Sequence, residues 1–335
     1  MKTAITQTPW LRASLQQLQQ AKEQNRLPHA MLLTGHEGVG KHLLATTFMH
    51  WLHCQQPKGM EACEQCENCQ LLKAGSFPDH VLIEPEEAGK NIRINQIRSL
   101  VDFTHHTAQQ GGYRTVLITP ADSMNASAQN ALLKTLEEPG ERTFILLVTH
   151  HINQMLATII SRCQQIQVAK PSMDEGITWL KHSDIEENEA KGLLIAAGGA
   201  PLKAIALADT DWFLNRQDIF HEIANIPKHP PRVPTLAKKL AGYDAVNLLT
   251  ACYEWTAAAI KWHYGIKHQA DPALVPAFDI MLNIPRTRLF EFQQAVMRAL
   301  KLVQTSANPN VELLYEQVLM VLVGVPVARD IVAAY

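Results

Sequence analysis

Five short apolar runs in the first half of the chain predict the strands of a parallel sheet. They are "AMLLTG" (30–35), "HVLIEP" (80–85), "TVLITP" (115–120), "FILLVT" (144–149) and "QIQV" (165–168). Four of the five are almost continuously apolar, as expected of strands that are covered on both faces. Between them, apolar residues recur at helical spacing at 44–52, 97–104 and 128–136. This alternation predicts an α/β domain.

Helical spacing replaces the strand pattern from about residue 170 onward. The clearest example is the last predicted helix, where Leu314, Val318 and Leu322 share one stripe after the start signal "NPN". Two segments, "GGAPLK" (198–203) and "IPKHPPRVP" (226–234), indicate breaks between helices. We therefore predict three parts, an α/β domain at 1–168, a small helical domain at 169–208 and a larger helical domain at 209–335.

Composition adds limits to this picture. The chain has 335 residues with 30 basic and 32 acidic side chains, so its net charge of -2 gives no overall attraction to nucleic acid or to an anionic membrane. The longest apolar runs fall short of the roughly 20 residues that a bilayer span needs, and the N-terminus lacks the apolar core of a signal peptide. We expect a cytoplasmic protein that does not contact a membrane.

A glycine-rich segment after the first predicted strand indicates phosphate binding. In "GHEGVGKH", Gly35, Gly38, Gly40 and Lys41 match the phosphate loop G-x-x-x-x-G-K-[ST], but His42 stands where Ser or Thr should hold magnesium. In the order strand, loop, helix, backbone N–H groups can surround phosphates and Lys41 can reach the terminal oxygens. The pattern leaves open whether a nucleotide binds.

Four of the six cysteines crowd into a short segment with the spacing C-x8-C-x2-C-x2-C. They are Cys54, Cys63, Cys66 and Cys69. One compact loop can then present four thiolates to a tetrahedral ion, which favours zinc, and with all four positions filled the site is structural. Free thiols on a loop are the alternative interpretation.

Longer motifs resemble the clamp-loader branch of the AAA+ ATPases. The residues that carry this resemblance are "PADSMNASAQNALLKTLEEP", "ATIISRC" and the cysteine cluster inserted after the phosphate-loop helix. "PHAMLLTG", "CQLLKAGSFPDH" and "NPNVELL" also fit, so the resemblance spans the chain. It implies an AAA+ domain with a zinc insertion at 1–168, a small helical lid at 169–208 and a C-terminal helical collar at 209–335 that carries oligomerisation.

The resemblance also shows which parts of a hydrolytic site are missing. Active members of the family carry Asp-Glu directly before the pair that is Ala121-Asp122 here, whereas this chain has Thr119 and Pro120. Neither residue can supply the magnesium-organising acid or the base that activates water. Asp122 is a possible substitute acid, but we expect it to cap the following helix. ATP hydrolysis is therefore not expected, and ATP binding stays open.

The resemblance also has implications for two further residues. Lys203 occupies the segment where the second nucleotide sensor has an arginine, and lysine lacks the planar fork of that side chain. Arg162, in the Ser-Arg-Cys triplet at 161–163, is implied to reach the ATP site of a neighbouring subunit and to act there in trans. The implied partners are the clamp-loader motor (tau/gamma) and delta subunits, the sliding clamp and primer-template DNA.

Two functional hypotheses follow. The first is a non-hydrolysing stator of the DNA polymerase III clamp loader, which is no enzyme on its own but a subunit of a DNA-directed DNA polymerase holoenzyme. The alternative is an ATP-hydrolysing motor, either of the clamp loader or a related AAA+ ATPase, that uses Lys41 and Asp122 in an unusual geometry. Thr119 and Pro120 favour the first hypothesis.

Overall fold

The computed structural model of the protein describes residues 5–87, 89–104, 107–110, 112–266, 270–304 and 309–325. The chain divides into two compact units, Met1–Lys170 and Pro171–Tyr335. The end of the first unit lies close to the predicted end of the α/β domain at 168.

The first unit contains a parallel sheet of five strands. The strands are β1 (Ala30–Thr34), β2 (His80–Ile83), β3 (Arg114–Ile118), β4 (Thr143–Val148) and β5 (Gln164–Gln167). Their order across the sheet is β2-β3-β4-β1-β5, so β1, which precedes the glycine-rich loop, lies between β4 and β5. All five predicted strands are confirmed.

Six α-helices accompany the sheet among the described residues of this unit. They are α1 (Pro9–Glu23), α2 (Lys41–His53), α3 (Glu67–Lys73), α4 (Ile94–Thr104), α5 (Ala126–Glu137) and α6 (Ala157–Ile160). The three predicted helices correspond to α2, α4 and α5, whereas α1 and α3 were not predicted. The prediction that Asp122 caps α5 is wrong. Asn125 instead accepts a hydrogen bond from the Ala128 N–H at the start of this helix.

The sheet is stable because both of its faces are covered. Every residue of β3 is buried. On one face, Leu32 and Leu147 pack in one core cluster with Leu100 of α4 and Leu132 of α5. On the other face, α2 contacts β1, β3 and β4, and α1 packs against α2. The chemistry of this unit is therefore confined to the ends of the strands and to the loops.

The second unit is helical throughout its described residues. Its helices are α7 (Met173–Lys181), α8 (Glu187–Ala196), α9 (Pro201–Ala208), α10 (Asp211–Leu214), α11 (Arg216–Asn225), α12 (Val233–Leu240), α13 (Ala245–His263), α14 (Val275–Met281), α15 (Arg286–Gln304) and α16 (Val311–Val323). The predicted last helix corresponds to α16, whose first turn donates two backbone N–H groups to Asn310. Of the helices described, none alone is long and apolar enough to cross a bilayer, and α8 with α9 passes that test only as a pair bent by 108°.

A buried ion pair lies within the second unit. The Asp271 carboxylate accepts hydrogen bonds from Arg216 Nε (2.9 Å) and from the Ala273 N–H (2.9 Å). Gly192 of α8 lies so close that an added Cβ would stand 2.7 Å from Asp271 Oδ2. A helix of the predicted lid (169–208) thus packs against residues of the predicted collar (209–335). The division between these two parts stays a prediction.

We predict that Gly192→Ala destabilises the second unit. Alanine normally stabilises a helix interior relative to glycine by about 1 kcal/mol, but here its methyl group meets a carboxylate that two hydrogen bonds hold in place. Overpacking of this kind costs about 1–3 kcal/mol. Urea unfolding followed by tryptophan fluorescence measures the effect, because four of the six tryptophans belong to this unit.

Gly112→Ala is the control for this experiment. An added Cβ at Gly112 meets nothing within 4 Å, so this variant should unfold like the parent protein. Equal stability of the Gly192→Ala variant and the parent would show that α8 is not held against Asp271.

Candidate functional site

The glycine-rich loop folds as a phosphate loop at the carboxyl end of β1. Gly35, Gly38 and Gly40 have φ values of 141°, 77° and 99°, which favour glycine over other residues. A Cβ at Gly35 would also lie 2.5 Å from the carbonyl oxygen of Val168. The three glycines are therefore needed for the course of the backbone, whether or not a ligand binds.

Lys41 begins α2 but turns back onto its own loop. Its side chain is 2% exposed, and Nζ donates hydrogen bonds to the carbonyl oxygens of Gly35 (2.6 Å) and His36 (2.6 Å). Burial lowers the pKa of Lys41 to about 8, while the carboxylates of Asp122 and Glu37 act in the opposite direction. A nucleotide phosphate would have to compete with these two carbonyl oxygens for the ammonium group.

Asp122 is the acidic residue next to this loop, and its carboxylate is already bonded. One oxygen, Oδ1, accepts hydrogen bonds from Thr149 Oγ1 (2.9 Å) and from the His150 N–H (2.9 Å). Asp122 thus joins the turn after β3 to the end of β4. No sequence motif indicates this pairing, because the partners are separated by 27 and 28 positions.

The other positions of a hydrolytic site carry no acid. Thr119 is buried, and its backbone N–H donates to the carbonyl oxygen of Ile83 at 3.0 Å. Pro120 follows it, and His42 in the first turn of α2 is exposed. At the three positions that the resemblance assigns to magnesium binding and water activation, the chain thus has Thr119, Pro120 and His42.

His150 adds no positive charge to this region. Its Nδ1 is buried and has no hydrogen-bond partner in the described part of the chain. Burial lowers the pKa of His150, and the nearby charge of Lys41 lowers it further. The imidazole is consequently neutral at ordinary pH, leaving Lys41 as the cation of the loop.

The four clustered cysteines meet at one point. Their Sγ atoms all lie within 4.8 Å of one another, and Cys63 Sγ is 3.9 Å from Cys69 Sγ. A tetrahedral ion with metal–sulfur bonds of about 2.3 Å needs sulfur atoms about 3.8 Å apart. Backbone N–H bonds from Gln65 and Cys66 lower the pKa of Cys63 to about 6, whereas burial raises the pKa of Cys54 and of Cys69. This set of donors fits a soft metal ion such as zinc.

Neighbouring elements hold the cysteine module, residues 54–69, in place. Cys66 is the residue directly before α3 and Cys69 lies in its first turn, so the start of one short helix positions two of the thiols. Asn68 Nδ2 donates to the carbonyl oxygen of His53 at 2.9 Å, and Gln19 Nε2 of α1 donates to that of Met60 at 3.1 Å. The module is thereby attached to the end of α2 and to α1.

Arg162 follows α6 and forms an ion pair on the surface. Its side chain is 33% exposed, and Nε donates to Glu137 Oε1 at 2.5 Å while Nη1 donates to the carbonyl oxygen of Thr158 at 2.9 Å. An exposed pair of this kind contributes only about 0–1 kcal/mol to stability. The next residue, Cys163, is buried, and burial raises the pKa of its thiol to about 12.

Fold and site together have the architecture that the resemblance to the clamp-loader branch of the AAA+ ATPases implies, with a parallel sheet, a phosphate loop after β1 and a helical second unit. Residues 10–172 match the family model described as DNA polymerase III, delta subunit. The DNA polymerase III subunit delta' of Pseudomonas aeruginosa PAO1 is 37% identical over 256 residues, which cover 76% of this chain and 77% of that protein. The chain belongs to the family of DNA polymerase III delta' subunits.

Other relatives agree with this assignment. The delta' subunit of Escherichia coli K12 is 32% identical over 217 residues, covering 64% of this chain and 65% of that one. A solved DNA polymerase III gamma subunit-related protein of Thermotoga maritima shares 19% identity with a TM-score of 0.42, covering 92% of this chain and 98% of that one. The Bacillus subtilis clamp-loader delta protein has a TM-score of 0.34 at 10% identity, over 92% and 99% of the chains. Both TM-scores are too low to support an argument, so the assignment depends on the sequence relatives.

Proposed function

We propose that this chain is the non-hydrolysing stator of a DNA polymerase III clamp loader. It would assemble in the cytoplasm with the motor (tau/gamma) and delta subunits and help them to load the sliding clamp onto primer-template DNA. Membership of the delta' family supports the assembly. The observation that carries the non-hydrolysing role is the state of the phosphate loop, in which Lys41 is bonded to loop carbonyls and the two positions directly after β3 are Thr119 and Pro120.

The alternative, an ATP-hydrolysing motor, has to compete with these contacts. A phosphate would have to draw Lys41 away from the carbonyl oxygens of Gly35 and His36 or use its third N–H alone. Asp122 Oδ1 holds the Thr149 hydroxyl and a backbone N–H, which leaves only Oδ2 to serve magnesium or water. Breaking buried hydrogen bonds costs about 1–3 kcal/mol for each group left unsatisfied, which favours the stator.

We propose that Arg162 gives the stator a chemical role in the ATP site of a neighbouring subunit. Its guanidinium is partly exposed, and the Glu137 pair that holds it is a weak surface interaction. In an assembled ring, the phosphate oxygens of a neighbouring ATP would replace this carboxylate as the partner. Charge that develops on the transferred phosphoryl group would then be stabilised from the adjacent subunit.

We predict that Arg162→Ala lowers the clamp- and DNA-stimulated ATPase activity of the reconstituted complex. Arginines supplied in trans contribute about 10³–10⁵ in turnover in other phosphoryl-transfer systems. The measured loss should be smaller when other sites of the ring have their own arginine. A phosphate-release assay on the complex measures the effect, and the isolated chain in the same assay should stay at background.

Glu137→Gln is the matched control for Arg162→Ala. It breaks the same ion pair but leaves the guanidinium in place, so the ATPase activity should persist. Equal losses in both variants would mean that the pair acts structurally and not through the arginine. Turnover by the isolated chain that Lys41→Ala abolishes would instead support the motor.

We also propose that the cysteine module binds one structural zinc ion. Four thiolates would hold the ion, and the free energy of metal binding would stabilise a segment with few buried apolar side chains of its own. The support is the convergence of the four Sγ atoms within 4.8 Å.

We predict about one zinc per chain in protein purified without chelators. Metal analysis should show that Cys66→Ser lowers the zinc content, because one of the four ligands is lost. Cys252→Ala, which removes a buried thiol of the second unit, is the control and should leave the content unchanged. Metal-free parent protein, or full zinc content in Cys66→Ser, would contradict the proposal.

Oligomerisation is assigned to the predicted collar at 209–335. Two apolar side chains on α15, Phe290 and Met297, are 44% and 52% exposed and lie two helical turns apart on one face. Leu313 of α16 is 43% exposed. A helical domain that packs only on itself has little reason to expose such residues, so they support a contact with other subunits.

We predict that the double variant Phe290→Ser, Met297→Ser co-purifies less with the other clamp-loader subunits. The control is Leu214→Ser, since Leu214 is 60% exposed in the same unit but lies on α10. Pull-down of the assembled complex measures the effect. Full-strength assembly of the double variant would argue against this face as the subunit contact.

A further inference from the structure

The long spacer of the cysteine module, residues 55–62, has no core of its own. All of its residues are exposed or half-buried. The spacer nevertheless brings Cys54 and Cys63 together, and the Cys63 N–H donates to Cys54 Sγ at 3.1 Å. Closing a flexible loop costs conformational entropy. Contacts from outside the spacer can offset this cost.

A tight turn places two neighbouring carbonyl groups at the tip of the spacer. The backbone groups of Lys58 and Glu61 exchange hydrogen bonds of 2.9 and 3.2 Å. Gly59 lies within this turn and has a φ of 60°. The carbonyl oxygens of Gly59 and Met60 take no part in the exchange, and each accepts a hydrogen bond from a side chain outside the spacer.

Trp51 of α2 donates to the first of these carbonyl groups. Its Nε1 lies 3.1 Å from the carbonyl oxygen of Gly59, and its ring stacks on the buried ring of Phe48 with centroids 6.1 Å apart. The carbonyl oxygen of Trp51 accepts the Cys54 N–H at 3.2 Å. Trp51 therefore holds the start of the spacer through its backbone and the tip through its side chain.

Gln19 of α1 donates to the second carbonyl group. Its Nε2 lies 3.1 Å from the carbonyl oxygen of Met60, and the side chain is 6% exposed. Helix α1 packs against α2, so the two donors belong to helices that hold each other in place. Neither Gln19 nor Trp51 is among the converging metal donors. Their effect on a metal ion is therefore indirect.

We propose that Trp51 and Gln19 are positioning residues of the zinc site, which hold the spacer so that its two flanking thiols meet those of Cys66 and Cys69. This inference rests on the zinc ion proposed above. A binding site that is held in its final shape loses less conformational freedom when the ligand binds, and its affinity is higher for that reason. The two hydrogen bonds thus strengthen zinc binding without supplying a ligand.

The alternative is that these bonds stabilise the first unit as a whole and have no particular effect on the metal. Trp10 distinguishes the two interpretations, because it makes a bond of the same type in the same unit. Its Nε1 donates at 2.8 Å to the carbonyl oxygen of Val39, which lies outside the cysteine module. Trp10→Phe therefore removes an equivalent bond and leaves the spacer untouched.

The test is the equilibrium affinity of the full-length chain for Zn²⁺, measured in competition with a chromophoric chelator. Trp51→Phe keeps an aromatic ring beside Phe48 but lacks the indole N–H. Gln19→Met keeps the length of the side chain but lacks the amide. Each variant should bind Zn²⁺ about fivefold more weakly, which is the factor for one hydrogen bond. Trp10→Phe should bind Zn²⁺ as the parent protein does.

Cobalt gives a second readout, because the absorption spectrum of bound Co²⁺ depends on the ligands and their geometry. Trp51→Phe and Gln19→Met should reach the parent spectrum when they are saturated with Co²⁺, since all four thiols remain. Cys66→Ser should give a different spectrum even at saturation. A positioning residue is thereby separated from a ligand.

Three results would overturn the proposal. Parent-like Zn²⁺ affinity in Trp51→Phe or in Gln19→Met would show that the residue concerned does not position the spacer. Equal weakening by Trp10→Phe and Trp51→Phe would indicate a general loss of stability. An altered Co²⁺ spectrum at saturation in Trp51→Phe would mean that the ligand set itself had changed. A parent protein that binds no Zn²⁺ would contradict the zinc site as well, whereas the three results above concern the positioning residues alone.

Discussion

Burial of the three central strands of the parallel sheet, β1, β3 and β4, is the constraint on which the rest of the first unit depends. The strands satisfy one another's backbone groups, and α2 on one face and α4 and α5 on the other exclude water from both. Polar chemistry then has room only where strands end. The phosphate loop, Asp122 and Thr149 all occur at such ends, and the cysteine module is attached beyond the end of α2.

The hydrogen bonds within the phosphate loop allow it to keep its conformation without a bound phosphate. In a working site the lysine ammonium and the acidic side chains are left for the nucleotide and its metal ion. Here Lys41 is satisfied by the loop itself, and Asp122 is satisfied by Thr149 and the next backbone N–H. The unit can therefore keep the shape of a nucleotide-binding domain without a bound nucleotide.

The sheet and three helices of the first unit could be predicted because buried strands and amphipathic helices each have a spacing of apolar residues that a single sequence shows. Helix α1 was missed although Leu11, Leu15 and Leu18 recur at helical spacing, so its signal was available. The seven-residue α3 is too short to show a helical pattern of apolar residues, and Cys69 in its first turn belongs to the thiol cluster. Its position is fixed by the neighbouring elements instead.

Long-range pairs account for the other differences. Asp122 and Asn125 are both good helix caps, and only the approach of the end of β4 decides that Asp122 turns away from α5. The Arg162–Glu137 pair joins residues 25 positions apart, beyond the reach of any local pattern.

The buried pair of Arg216 and Asp271 has a mechanical consequence. Helix α8 forms one wall of the space that keeps this pair dry, with Gly192 directly against the carboxylate. If α8 rotated away, water would enter and the contacts around a charge with no exposed surface would be lost, at a cost of several kcal/mol on the order of that for disrupting buried ion pairs. The helices on the two sides of residue 208 are thus held together by these buried contacts. A force that moves one of them also moves the other.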